Sequence, residues 1–338
     1  MTWISMIFVA LAAAFGAGLG TEAVRRFTLR RSILDVPNER SSHDTAMPRG
    51  GGVAIVVACA IGWVWALVTE GGEGLAVLAG TALGITVVSA VDDIRSLTAR
   101  TRFAVHFLAA GALVAGLGAW TSVKVPFFGG VPIGLLGVPL AVVWAVGLTN
   151  AYNFMDGTDG IAASQAVVAG LGWAVTGGLL GAPGLALTGA LVAGGSVGFL
   201  VHNWSPARIF MGDVGSAFLG SVFAGLGVLA GGERMPLAAL LFVWPFVFDA
   251  VLTFVRRLRS GEDVFAAHRS HLYQRLVIAG WSHRAVAGLY AVLAVGTSTS
   301  GVVWAVYGVE IAAVVGLVLP ICLVPWVQRA ESRRPAAA

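Results

Sequence analysis

The chain has 338 residues, 57% of them hydrophobic and 11% charged, with a mean hydropathy of +0.86. A soluble domain carries about 25% charged residues, so a water-soluble enzyme is excluded and essentially the whole chain reads as membrane domain. The net charge of +4 is modest and sits in short loops, where anionic headgroups explain it and nucleic acid is not needed.

A spanning helix needs about 20 apolar residues. In chain order, about eleven segments approach that length: 3–23, 52–69, 74–91, 103–121, 136–152, 161–180, 184–201, 214–231, 236–255, 284–305 and 309–327. With the first running inward, every Lys and Arg except Lys124 and Arg234 falls on the cytoplasmic side, as the positive-inside rule requires. The expected fold is an all-α polytopic membrane protein. It has about ten to eleven transmembrane helices, a periplasmic N-terminus and a cytoplasmic C-terminus. Residues 1–328 form one domain, and 329–338 form a short basic tail. The first segment has no basic residues ahead of it and reads as a retained anchor. The 46 glycines predict close helix packing. Cys59 and Cys322 lie in apolar segments without ligand spacing and read as packing residues. Apolar residues around Gly129 and Gly130 predict a small periplasmic β-hairpin at 123–135.

The longer inner loops carry the polar motifs. Asp92 and Asp93 end the third segment, either as a solvated helix end or as a metal ligand or general base. Arg102, at the start of the fourth, faces the same mouth and suits a phosphate; His106 reads as a packing residue. Asn150, Asn153, Asp156 and Asp159, with interleaved glycines, join the fifth and sixth segments. They read as capped turns or as an oxygen-ligand loop for a hard cation such as Mg²⁺. Asp213, flanked by Gly212 and Gly215, opens the eighth segment as an N-cap or as a ligand at a helix N-terminus. His268, Arg269 and His271 lie in the longest inner loop and suit phosphate recognition. Leu272 and Leu276 predict a short amphipathic helix lying on the membrane, and Ser282 caps the next span. Asp249 sits inside the ninth segment, as a functional acid or a structural partner.

Taken in order, these motifs resemble the polyprenyl-phosphate N-acetylhexosamine-1-phosphate transferases, a superfamily shared with the phospho-N-acetylmuramoyl-pentapeptide transferases. The resemblance runs from Ser42 and His43 through Pro48–Gly52, the Asp92 pair, 150–160 and 211–216 to the Arg269–His271 loop. It implies that undecaprenyl phosphate attacks a UDP-N-acetylhexosamine, releasing UMP, with Mg²⁺ or Mn²⁺. It also implies roles. Asp213 is the principal metal ligand and Asn153 a second. Asp92 and Asp93 deprotonate the lipid phosphate or assist the metal. Asn150, Asp156 and Asp159 belong to the nucleotide pocket. Arg102, His268, Arg269 and His271 bind phosphate and sugar. The muramoyl-pentapeptide branch carries consecutive histidines where this chain has His268, Arg269, Ser270 and His271. The continuation Tyr273, Gln274, Arg275 looks more like transferases that begin O-antigen or related polysaccharides, including those that take 6-deoxy-hexosamines. A homodimer is common for such bundles, though nothing in the sequence shows one. The rival reading is an ion-coupled transporter of an anionic solute. Such proteins place ionisable groups near the midplane, and only Asp249 fits that pattern.

Overall fold

The computed structural model describes residues 1–35, 46–95, 97–264, 266 and 268–333. Ser42 and His43 of the first motif and residues 334–338 of the tail lie outside them. In chain order the helices are α1 (Trp3–Arg30), α2 (Val53–Thr69), α3 (Glu73–Arg95), α4 (Ala99–Leu117), α5 (Gly137–Phe154), α6 (Ile161–Leu179) and α7 (Pro183–Asn203). They continue with α8 (Asp213–Leu229), α9 (Met235–Phe242), α10 (Trp244–Arg259), α11 (Leu272–Ile278), α12 (His283–Tyr307), α13 (Glu310–Val318) and α14 (Leu323–Ser332). Two antiparallel strand pairs and two short 3-10 turns (Gly134–Leu136 and Leu319–Cys322) accompany them; the pairs are β1 (Leu34–Asp35) with β2 (Met47–Pro48), and β3 (Ser122–Val125) with β4 (Gly129–Pro132). The second pair is the expected hairpin.

The polytopic all-α architecture is as expected. By length and composition, seven helices among the described residues can cross a membrane, or eight if a bent pair counts as one span. The segments 52–69 and 214–231 form α2 and α8, of 17 residues each. The segment 236–255, expected as one span, is broken by 84° between α9 and α10. The cause is local: Pro245 opens α10, and proline supplies no N–H to continue a helix. The break leaves the Phe242 carbonyl without a helical partner, and Gln165 Nε2 donates to it at 2.8 Å. Irregular backbone at membrane depth needs such a donor.

Helices α6 and α7 form the centre. Over their most apolar windows, 72% and 78% of residues are buried, against 22% for α1. Their contact is made of backbone. A Cβ on Gly170, Gly177 or Gly189 would collide with the facing helix, and one on Gly194 or Gly198 would strike Ala10 or Ala14 of α1. Small residues at i and i+4 let helices touch where lipid offers no hydrophobic drive. Cys59 is buried in the core. The helices alternate in direction, so α3, α5, α7 and α10 end where α4, α6, α8 and α12 begin. That end carries the described aspartates, and the β3–β4 hairpin lies at the other.

Candidate active site

A cavity of about 220 Å³ opens at the acid-bearing end. Its wall includes Arg49, Asn153, Asp156, Asp159, Asp213 and His283. Four of these six were singled out from the sequence. Asp92, Asp93, Asn150, Arg102, His268, Arg269 and His271 stand outside the lining.

Asp93 organises one corner. Its carboxylate accepts from the backbone N–H of Asp213 at 3.2 Å and of Val214 at 3.1 Å, capping α8 from another helix. Arg49 Nη2 donates to the same carboxylate and to the Asp93 carbonyl, both at 2.7 Å. The cap residue of α8 itself is Gly212, at φ +76°, a conformation suited to glycine. A Cβ on Gly52 or Gly215 would overlap the other's Cα, so these glycines bring the starts of α2 and α8 together. Because Asp93 does the capping, the Asp213 side chain is left for the cavity. It is 34% exposed.

Asp92 is only 6% exposed. It accepts from the Leu97 N–H and from Arg102 Nη1 at 3.0 Å. The same Nη1 lies 3.8 Å from Asp213 Oδ2, so Arg102 joins the two acids while staying half-exposed at the mouth. Thr98 caps α4, which places Arg102 in the first turn facing α3.

The end of α5 sorts its two amides. Asn150 turns inward, with Nδ2 donating to the Val146 carbonyl at 2.7 Å and to His106 Nδ1 at 3.0 Å. It therefore supports the wall, and His106 is the buried packing residue expected. Asn153 faces the cavity, its Oδ1 accepting from Ser216 Oγ at 2.7 Å. In the following turn, burial and then the charges of Asp213, Asp93 and Asp159 push the Asp156 carboxyl well above the usual range. Asp159 goes the other way. Burial raises it, but its bonds to His283 and to the Ala207 N–H outweigh that and hold it below the usual value. Asp159 Oδ1 lies 3.2 Å from His283 Nδ1, and Oδ2 accepts from Ala207 at 3.1 Å.

The long loop ends in α11, which differs from its expected setting. Leu272, Tyr273 and Leu276 are buried against the bundle, so the helix docks on protein instead of lying on lipid. Tyr273 Oη donates to the Phe154 carbonyl at 3.0 Å. His271 is buried with its Nδ1 3.3 Å from Asp249. His268 lies beside it, the rings tilted by 37° with centroids 5.0 Å apart. Burial, then His271, Arg257 and Arg256, push His268 down to about 4, so it is neutral at pH 7. Arg269 is half-buried just before α11. Ser282 caps α12 as expected, accepting from the Ala285 N–H at 3.2 Å.

Among the described residues, no three of His, Cys, Asp and Glu gather into a metal cage. Asp213 and Asn153 nevertheless give the cavity two oxygen donors, and Asn153 Oδ1 keeps a lone pair beyond its bond to Ser216. Mg²⁺ commonly binds through one or two carboxylates plus substrate phosphates and waters. The donor set fits a cation that arrives with a diphosphate. The flanking Arg49 and Arg102 suit the same anionic group.

Sequence reasoning passed over Arg49, Gln274 and His283 as site residues, although all three line the cavity and Arg49 also clamps Asp93. The usable signal was position. Arg49 precedes a run of glycines, and His283 follows a helix cap at the polar end.

The sequence profile of glycosyl transferase family 4 matches residues 75–231. A probable undecaprenyl-phosphate N-acetylglucosaminyl 1-phosphate transferase of Bacillus subtilis (strain 168) is 33% identical over 276 residues, covering 78% of this chain and 75% of its own. A decaprenyl-phosphate N-acetylglucosaminephosphotransferase of Mycobacterium tuberculosis is 32% identical over 315 residues, covering 83% and 78%. A phospho-N-acetylmuramoyl-pentapeptide-transferase of a Synechococcus species is 31% identical over 294 residues, covering 79% of each.

Proposed function

We propose a reaction from one premise: this chain belongs to glycosyl transferase family 4, with the sugar-phosphate transferases that act on polyprenyl phosphates. The protein transfers an N-acetylhexosamine-1-phosphate from a UDP-sugar to undecaprenyl phosphate and releases UMP. A phosphate oxygen of the lipid attacks the sugar-side phosphorus. The bond from that phosphorus to the bridging oxygen breaks, and the electron pair leaves with UMP. N-acetylglucosamine is the first sugar to test, since two of the relatives carry it in their names; a 6-deoxy-hexosamine is the second. The product begins O-antigen or another cell-envelope polysaccharide, and the acid-bearing end faces the cytoplasm.

The observation that carries the reading is the cavity itself. Asn153, Asp156, Asp159 and Asp213 line one small polar space beside Arg49, in a chain whose bulk is apolar. Both substrates are anions and repel. Arg102 and Arg49 offset that repulsion and stabilise charge spread over the transferring phosphorus. Asp213 and Asn153 would hold Mg²⁺ or Mn²⁺, which when bound draws charge from the phosphate oxygens. Asp93 keeps the start of α8, and so Asp213, in place. Asp92 holds Arg102 at the mouth, and the Asp92–Asp93 pair supplies the candidates for taking a proton from the lipid phosphate. A phosphomonoester has its second pKa near 6, so at neutral pH that proton is mostly gone and placement matters more than base catalysis. A polyprenyl tail stays in the bilayer at about 0.8 kcal/mol per buried CH₂, so the site has to lie at the headgroups.

The test is transfer from radiolabelled UDP-N-acetylglucosamine to undecaprenyl phosphate by the purified protein with Mg²⁺. The expected result is a labelled pyrophosphate-linked lipid and one UMP per lipid. Absence of lipid product with that sugar and with a panel of UDP-6-deoxy-hexosamines would overturn the proposal.

A further inference from the structure

Asp249 is the acid that this reaction leaves unused. It sits on α10 with no exposed surface. A carboxylate inside a bundle is costly unless its lone pairs are met, and here five donors surround it. Oδ1 accepts from the Leu272 N–H at 2.8 Å and from Thr253 Oγ1 at 3.1 Å, and lies 3.3 Å from His271 Nδ1. Oδ2 accepts from Tyr290 Oη at 2.6 Å and from the Tyr273 N–H at 3.1 Å. Three of the five donors belong to the run His271–Tyr273, where α11 starts. The others come from α10 itself and from α12. Asp249 therefore fastens the start of α11 to the seam between two long helices.

What it fastens reaches the cavity. Tyr273 Oη donates to the Phe154 carbonyl, one residue after Asn153. A Cβ on Gly157 would collide with the same hydroxyl. Gln274, the next residue of α11, lines the cavity, as does Gly157. A continuous chain of contacts thus runs from Asp249 through Tyr273 to the 153–157 wall. Asp249 also accepts from His271 Nδ1, which fixes the ring and leaves Nε2 as its second functional nitrogen.

We propose that Asp249 is a positioning residue for the nucleotide-sugar half of the site. It never touches substrate. It holds α11 so that His271, Tyr273 and Gln274 shape the wall against which the donor lies. The assignment rests on the transferase reading, and its test includes a readout that does not.

Asp249→Asn keeps the volume but turns an NH₂ toward groups that are themselves donors. In the full-length protein in detergent, it should lower kcat/KM on the order of 100-fold, as small misplacements do. The KM for the UDP-sugar should rise while the KM for the lipid phosphate stays. Amide hydrogen exchange over 271–276 should accelerate. Tyr290→Phe, which removes one bond, should move the same quantities by about fivefold and serves if Asp249→Asn fails to fold. Leu185→Ala, at the far end of α7, is the comparator: it should lose thermal stability with both KM values unchanged. The proposal is overturned if Asp249→Asn behaves like Leu185→Ala, or if exchange over 271–276 is unaltered in both Asp249→Asn and Tyr290→Phe. If the wild-type protein transfers no sugar phosphate, the transferase reading fails, and the exchange comparison still decides whether Asp249 holds α11.

Discussion

Two acids in this molecule do the same structural task with opposite consequences. Asp93 of α3 caps α8, and Asp249 of α10 caps α11, each through two backbone N–H groups of a helix distant in sequence. At the Asp93 corner the capped helix begins with another carboxylate, Asp213, which is thereby free to face the cavity. At the Asp249 corner every donor is protein and nothing faces solvent. The same device builds an open, charge-dense corner in one place and a sealed anchor point in the other. The difference lies in the side chains around each cap. Arg49 and Arg102 border the first corner, whereas Tyr290, Thr253 and His271 enclose the second.

The sharpest way to break this comparison is at the open corner. Asp213→Ala should lower UMP release about 1000-fold, the scale of losing a principal electrostatic contact at a transferring phosphate. Either single change of the acid pair should cost less. Asp93→Asn, which disturbs the cap but leaves Asp213 present, should cost about 100-fold. Steady-state assays of the purified variants decide the ranking, and a larger loss in Asp93→Asn than in Asp213→Ala would reverse the roles of the two acids.

A smaller effect sharpens the picture of crowded charge. Burial and the neighbouring acids raise Asp156 in the folded state. Its neutral form is favoured there, so the charge penalty is absent below the unfolded value of about 3.9 and grows as pH rises towards the folded value. Asp156→Asn should therefore raise the melting temperature of metal-free protein at pH 8, and raise it less at pH 5, while lowering activity. Thermal unfolding at the two pH values checks the sign; equal shifts would mean that neither burial nor the neighbouring acids raise Asp156 in the folded state. The smallest effect belongs to Thr2→Ala, which removes the cap of α1 at the end of the bundle away from both corners. It should cost about 1 kcal/mol of stability and leave both KM values alone.

Much of the open corner was legible in the sequence because polar residues are scarce in an apolar chain. Asp92, Asp93, Asn153, Asp156, Asp159 and Asp213 all fall at helix ends of one polarity, and alternation of direction then brings them together. What each does there was not legible. Asp93 and the N–H of Val214 are 121 residues apart, and no local pattern announces that one caps the other. Asn150 and Asn153 look alike in sequence, yet one turns to His106 inside the bundle and the other, nearly a full turn further along α5, reaches the cavity. Periodicity found α11 but could not distinguish a face buried on protein from one lying on lipid, since Leu272 and Leu276 satisfy both. The bend at Val243 was hidden because Pro245 interrupts an otherwise continuous apolar run, and hydropathy alone counts that run as one span.

The central claim is that the polar cavity at the acid-bearing end receives the diphosphate of a nucleotide sugar. Photolabelling with an azido-uridine diphosphate sugar, followed by peptide mapping, tests it most directly. Label is expected within 153–160, 210–216 or 274–283, protected by excess unlabelled UDP-sugar. Label confined to the hairpin end, at 122–132 or 230–236, or label that excess UDP-sugar leaves unchanged, would contradict it.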